Sequence, residues 1–460
     1  MKINHTTDMA RRAFLKRSAA LGISSSLTPW ALQLAMLGEA AAADSGDGYK
    51  ALVCIFFSGG NDYANTFVPV DNTHYSQYAA LRGSIATSQA SLLSTALTPI
   101  TPLADSLQYA LAPELAPLKS LWDTQKLAIQ LNVGPLIVPT TKAQYNAQSV
   151  PLPPKLFSHN DQTSLWQSGL SEGATTGWGG RMGDLLMSQN SNSVFTCISA
   201  TGNATLLSGE AIVQYQVGTS GATAINGIKY APFGSTACMH ALNALITHPT
   251  PHLFAEEYTR VTRRSIDTQA LVAAGVNSVN LTTAFDSANN LAMQLKIVAR
   301  LIGARAMFGA KRQVFLVSIS GFDLHDNLVA NHPVLLTRVA NAMRSFHDAT
   351  VELGIDQQVT TFTASDFGRT FTTNGDGSDH GWGSHHLVMG GAVHGQQFYG
   401  AAPSMVVNGA DDVGQGRLIP TTSVDQYAAT FASWMGVSAS EMAWVMPNIG
   451  NFSNPNLGFV

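Results

Sequence analysis

Three segments of the chain share one design: an apolar, β-branched run that stops at a small residue and is followed shortly by a carboxylate. "ALVCIFFSGGND" leads to Asp62, "RQVFLVSISGFD" to Asp323 and "QQVTTFTASD" to Asp366. Such runs suit strands covered on both faces, the usual condition of a parallel sheet. Between the last two lies "PVLLTRVANAMRSFHDATVELG" (333–354), which reads as a helix with Pro333 in its first turn and Gly354 at its end. Strand, carboxylate tip, helix, strand, carboxylate tip is the rhythm of a βαβ unit, and it collects the polar tips along one sheet edge. The expected fold is therefore α/β, a mostly parallel central sheet flanked by helices.

Other segments extend the pattern. Residues 113–125 read as a helix, 126–134 as a strand, 177–186 as a glycine-rich turn entering a helix, and 283–309 as one long amphipathic helix. Pro135, Pro139, Pro151, Pro153 and Pro154 make 135–155 an irregular connection. Residues 187–255 look like short strands and loops, an insertion or cap on the main domain.

The first 43 residues belong to a different category. Arg11 and Arg12, followed by "AFLK", a broken apolar stretch and the run Ala40 to Ala43, have the order of a twin-arginine export signal cleaved after Ala43. Ser24 to Ser26, Pro29, Gln33 and Glu39 interrupt the apolar stretch too often for the roughly 20 residues of a membrane span. The expected partner during export is the twin-arginine translocase, and the expected location is the periplasm or beyond. Residues 44–460 then form a single large α/β domain, with no stable membrane span after cleavage. A net charge of −4, with no basic patch, excludes a nucleic-acid partner. Cys54, Cys197 and Cys238 are too few for a disulfide scaffold or a thiolate zinc site, although the last two could pair.

In a chain with only 12% charged residues, "TASDFGRTFTTNGDGSDHGWGSHH" (363–386) crowds three aspartates and three histidines together. Carboxylates and imidazoles without cysteine suit zinc, manganese, iron, magnesium or calcium. With Asp62 and with Asp323 and His325 at the other strand tips, the candidate ligands are Asp62, Asp323, His325, Asp366, Asp379, His380 and His385. Two such ions could clamp a phosphoryl or sulfuryl group. His386 faces away if His385 faces in, since neighbours on an extended segment alternate. Each residue also has a plainer reading: Asp62 as a turn residue bonded to backbone, Asp323 and His325 as helix caps, Asp366 as the ion-pair partner of Arg369. Ser158, in "FSHNDQ", is the candidate nucleophile, with His159 and Asp161 as an orienting pair or as ligands. Thr66 is a second candidate hydroxyl, water activated by a metal is the alternative, and Ser158 also suits a helix N-cap.

"FFSGGNDYANT", "FSHNDQTSLWQSG", "GWGGRMGD", "GFDLHDN", "SDFGRT" and "DHGWGSHHLVMGG" run in this order along the chain and resemble a bacterial family, the domain of unknown function numbered 1501. That family is placed beside the sulfatases and alkaline phosphatases, which implies a large α/β sandwich with metal ligands at strand ends. By that resemblance Asp62 looks like the first-strand metal aspartate, Asp323 like the aspartate of an Asp-x-x-x-His element, and Asp366 like that of an Asp-His pair. The chain departs from this pattern at two places. Asn327 stands four residues after Asp323, and Phe367 stands where the pair would have histidine, so His325, His380 or His385 would have to compensate. Asp366 also occupies a position where glutamate is more often expected. The resemblance implies a metal-dependent hydrolase of phosphate or sulfate esters. The degraded ligand spacing favours the alternative, a non-catalytic exported surface or matrix protein that keeps the fold.

Overall fold

The computed structural model describes residues 48–249 and 251–460; the export signal and its cleavage point lie outside these. Among the described residues the eleven strands are β1 Lys50–Ser58, β2 Phe67–Pro69, β3 Tyr109–Leu111, β4 Leu127–Gly134, β5 Cys197–Ser199, β6 Tyr215–Gln216, β7 Arg312–Ser320, β8 Val359–Ser365, β9 Ser384–Gly390, β10 Phe398–Tyr399 and β11 Thr422–Ser423. The helices of eight or more residues are α1 Asn72–Arg82, α2 Ala116–Asp123, α3 His159–Ser168, α4 Trp178–Leu186, α5 Thr236–Thr247, α6 Leu253–Ser278, α7 Asn290–Gly303, α8 Leu328–Glu352 and α9 Val424–Met435.

Nine strands form one sheet in the order β10-β4-β9-β8-β1-β7-β5-β6, with β11 beside β4. All its pairings are parallel except the two made by β9. The expected fold class is therefore what the chain adopts. Apolar side chains of β1 alternate between two cores. Val53, Ile55 and Phe57 pack with α2, α7 and α8, and Leu52, Cys54 and Phe56 pack with α4 and α9. That two-sided burial is what the unbroken run "ALVCIFF" encodes.

Two helices differ in their bounds from the sequence reading. The helix expected from 333 begins at Leu328, and Pro333 lies inside it. The segment 283–309 is not one helix: it becomes helical at Asn290, where Asn289 caps it by accepting from the amides of Leu291 and Ala292, runs to Gly303, and is followed by a separate short helix at Arg305–Phe308. The extended segment that carries His385 and His386 is the antiparallel strand β9, buried along its whole length. The region 187–255 holds β5 and β6 but also the twelve-residue helix α5. Cys197 and Cys238 are both free thiols, one buried and one exposed.

Candidate metal centre

The three central strands end together: Ser58 pairs with Ser320, and Phe57 with both Ile319 and Ser365. Asp323 and Asp366 thus emerge side by side, at the carboxyl edge where parallel sheets place their sites. Gly59 allows the close approach. It adopts φ +115°, and a Cβ there would sit 2.4 Å from the Asp323 amide nitrogen. Its own N–H donates to Asp366 Oδ2 at 3.1 Å, and its carbonyl accepts from the Arg369 guanidinium at 2.9 Å.

Three histidines from three separate segments converge on Asp323. His159, at the first position of α3, has Nε2 3.4 Å from Asp323 Oδ2. His325 Nε2 lies 3.2 Å from Asp323 Oδ1, His380 Nε2 also 3.2 Å from it, and the two Nε2 atoms are 2.9 Å apart. Behind each ring, Nδ1 meets an oxygen. His159 Nδ1 bonds Asp366 Oδ2 at 2.6 Å, His325 Nδ1 bonds Asp379 Oδ1 at 3.0 Å, and His380 Nδ1 donates to the Phe157 carbonyl at 2.8 Å. A carboxylate or carbonyl at Nδ1 keeps the proton there and turns the Nε2 lone pair inward. Imidazole lone pairs and a carboxylate facing one another at about 3 Å are held together either by a proton on an Nε2 atom or by a cation between them.

The spacing of two of these rings fits a cation. Donors about 2.0–2.1 Å from one tetrahedral ion lie about 3.3–3.4 Å apart; His159 Nε2 at 3.4 Å from Asp323 Oδ2 and His380 Nε2 at 3.2 Å from Asp323 Oδ1 match that spacing, whereas His325 Nε2, 2.9 Å from His380 Nε2, is closer than two ligands of one such ion. Ligand atoms of His159, Asp323 and His380 lie within 4.8 Å of one another. Two buried polar atoms here, His159 Nε2 and Asp366 Oδ1, have no hydrogen-bond partner. The residues present therefore suit a bound cation.

Charge and burial are arranged around the cluster. Burial alone would raise Asp323, but the Arg369 hydrogen bond and charge, with His159 and His325, hold its carboxyl below the usual range. Arg369 is itself fully buried and is tied to the Ser378 carbonyl as well as to Gly59. The hydrogen bond to Asp366 raises His159, and burial lowers His380. Phe367, in the place of the missing histidine, forms a floor, its ring centroid 4.8 Å from His159 and 4.5 Å from His380. The backbone bends sharply to deliver the Phe157 carbonyl, with Phe157 at φ +71°. Arg417 lies over the Phe157 ring and donates to the His380 carbonyl at 2.9 Å.

Of the expected ligands, Asp323, His325 and His380 meet at one point. Asp366 and Asp379 stand one bond behind, as acceptors from imidazoles. Asp62 does not join them. Its Oδ1 accepts from the Asn65 amide at 3.0 Å, and its Oδ2 holds the buried Arg82 guanidinium and the Ser378 hydroxyl. Burial would raise Asp62, but Arg82, His332 and Ser378 together lower it, so the turn reading describes it. His385 and His386 do not join either. They point to opposite faces of β9, His385 among Tyr63, Phe67 and Tyr109 and His386 beside Trp166 and Tyr427. Burial lowers both to about 3, leaving them neutral.

Ser158 caps α3 by position, but its hydroxyl donates to Asp161 at 2.9 Å. Thr66 Oγ1 donates to the Asp62 carbonyl at 2.7 Å. His159 thus sits among the metal-type donors rather than beside a nucleophile. Arg369 pairs with Asp323, not with Asp366. Sequence reasoning missed the Phe157 carbonyl and Asn374, which donates to Asp379 Oδ1 at 2.9 Å; a backbone oxygen carries no side-chain signal.

The sequence profile of a protein family of unknown function, DUF1501, matches residues 49–443, and the chain belongs to that family. No curated protein matches it. Among solved structures it is similar to Ps i-CgsB in complex with k-i-k-neocarrahexaose, with 12% identity, 89% of this chain and 78% of that one covered, and a TM-score of 0.33. It is also similar to PsFucS1 sulfatase from Pseudoalteromonas sp., with 8% identity, 89% and 72% covered, and a TM-score of 0.32.

Proposed function

We propose that this member of the DUF1501 family is a metal-dependent hydrolase of phosphate or sulfate esters, working through one divalent transition metal held by His159, Asp323 and His380, with His325 beside them. The observation that carries the reading is the convergence of three Nε2 atoms on one carboxylate, each imidazole fixed from behind by an oxygen. Imidazoles with a carboxylate suit zinc, iron or manganese better than magnesium or calcium, which prefer all-oxygen shells. We read this gathering of donors around one carboxylate as a site for a single ion, where two were expected.

Each residue then has a task. Asp366, Asp379 and the Phe157 carbonyl hold the Nδ1 protons and so set the ring tautomers. Arg369 holds Asp323 in place. The side chains of Asp323 and His325 are both 45% exposed, so the cluster is open to solvent on one side and an ester can reach it. A divalent ion there supplies Lewis acidity toward an ester oxygen and toward water. Neither Ser158 nor Thr66 presents its hydroxyl to the cluster, so the attacking oxygen is that of water. The ester class rests on the resemblance to sulfatases and alkaline phosphatases set out above. The paired Arg11 and Arg12 add that the chain is exported by the twin-arginine translocase, and an Arg11→Lys/Arg12→Lys precursor should stay in the cytoplasm.

The test is elemental analysis of protein purified without added metal, followed by hydrolysis assays on aryl phosphate and aryl sulfate. About one equivalent of a transition metal, with hydrolysis lost in Asp323→Asn, is the expected result. A metal-loaded protein that cleaves neither ester would make the site structural and the protein a non-catalytic exported component. No metal at all would overturn the assignment.

A further inference from the structure

One cation beside the metal centre has no counter-charge. Arg417 closes a tight turn, where its N–H donates to the Gly414 carbonyl at 3.1 Å and its carbonyl accepts from Val413 at 3.0 Å. Its side chain is held at two further points. Nε donates to the His380 carbonyl at 2.9 Å, and the guanidinium carbon lies 4.8 Å from the centroid of the Phe157 ring. That ring is itself anchored, packed with Leu156 and Val413 against Trp382 and Ile419. The half-buried guanidinium is thus fixed before any ligand arrives. Yet Nη1 and Nη2, which carry most of its N–H donors, have no partner among the described residues. The nearest acids along the chain do not serve it. Asp411 accepts from the amide of Ser404, and Asp412 from those of Asn408 and Gly414.

We infer that Arg417 is an anion subsite, which takes a second acidic group of the ester whose phosphoryl or sulfuryl group meets the metal. This rests on the reading of that centre as a hydrolase site. His380 separates the two positions. Its Nδ1 and its carbonyl face Phe157 and Arg417, while its Nε2 faces Asp323, so the guanidinium stands behind the ring. Charge points the same way. A divalent ion and Arg369 together balance Asp323, Asp366 and Asp379, and Arg417 is the charge left for a ligand. A guanidinium with a free Nη edge pairs with a carboxylate, phosphate or sulfate through two parallel hydrogen bonds, and stacking on an aromatic ring keeps its plane oriented. The substrate class is therefore an ester that carries a further oxyanion away from the bond that breaks.

The experiment is calorimetric titration of the zinc-loaded protein with three probes that it cannot hydrolyse: phenylphosphonate, 3-carboxyphenylphosphonate and 4-carboxyphenylphosphonate. The better of the two carboxylated probes should bind about tenfold more tightly than phenylphosphonate, the worth of one charge-assisted pair. At equal zinc content Arg417→Gln should bind all three alike, and Arg417→Lys, which keeps the charge, should keep part of the preference. Phenylglyoxal labelling of native Arg417, read by mass spectrometry, should be slowed by the carboxylated probes and not by phenylphosphonate, a readout that needs no variant to fold. A native protein that binds all three probes alike overturns the subsite and leaves the metal reading standing. A preference that survives in Arg417→Gln, or labelling that no carboxylated probe slows, does the same. Binding of none of the three overturns the ester reading of the metal centre, and the subsite with it.

Discussion

Replacing Asp366 by asparagine separates an orienting carboxylate from a ligand. Asp366 Oδ2 accepts from both the Gly59 amide and His159 Nδ1, and asparagine can make the same two bonds with its carbonyl oxygen. The shape is kept, while the charge behind His159 is lost. The site is buried, with the Asp366 side chain 6% exposed, so solvent does little to screen that charge. Loss of such a supporting carboxylate typically weakens metal binding about 10–100-fold, or about 1.4–2.7 kcal/mol. Asp323→Ala removes the group on which all three imidazoles converge and should abolish stoichiometric metal. The assay is metal content by mass spectrometry, with affinity read by competition against a chelator of known strength. The expected order of loss is Asp323→Ala, then His159→Gln and His380→Gln, then Asp366→Asn. Native affinity in Asp366→Asn would refute the orienting role. Loss as complete as in Asp323→Ala would make Asp366 a direct ligand, through the unpartnered Oδ1, and the one-ion geometry would be wrong.

Three further outcomes follow from the structure. Asp62→Ala leaves the Arg82 guanidinium buried without its carboxylate, so unfolding free energy should fall by about 3–5 kcal/mol; protein that still folds should bind metal as the native chain does, which denaturant titration and metal content together check. Burial raises Asp425 to about 6 from an ordinary 3.8. A raised carboxyl favours the folded state while protonated, so its contribution falls as pH rises from about 4 to about 6, by about 3 kcal/mol at most; Asp425→Asn should flatten that part of the stability–pH curve, and an unchanged curve would contradict it. Finally, Gln162 Nε2 and Oε1, Trp166 Nε1 and His386 Nε2 are all buried without partners. A high-resolution crystal structure should show ordered waters among them, each making about three hydrogen bonds, and a dry, closely packed interior there would refute this.

Much of the architecture is written in the chain because burial on both faces leaves a visible mark. The runs that become β1, β7 and β8 are apolar without alternation, and the carboxylates just past them announce the edge. What could not be read is which polar residues face one another across that edge. Asp62 follows β1 as closely as Asp323 follows β7, yet a buried arginine 20 positions away captures it. No periodicity marks Arg82, which falls on an ordinary amphipathic helix. The "HH" of β9 misleads for a related reason. It offers His385 as a ligand because histidine is usually polar, but both rings are buried and neutral inside a seven-residue strand.

The residue that best explains the site is the one whose sequence looked defective. With phenylalanine at 367, the aspartate before it has no adjacent histidine, and the constellation reads as degraded. In the folded chain His159 arrives from 207 residues earlier and bonds that aspartate, while Phe367 supports His159 and His380 from below. A histidine at the first position of a helix is held by ten residues of regular structure, and its partner ring rests on an apolar floor. The aspartate accordingly serves by ordering an imidazole, and the aspartate across from it, Asp323, takes the position where the three rings meet. Loss of the adjacent histidine therefore moves the donor to another element without removing it, and a donor count taken along the chain underestimates the site for that reason.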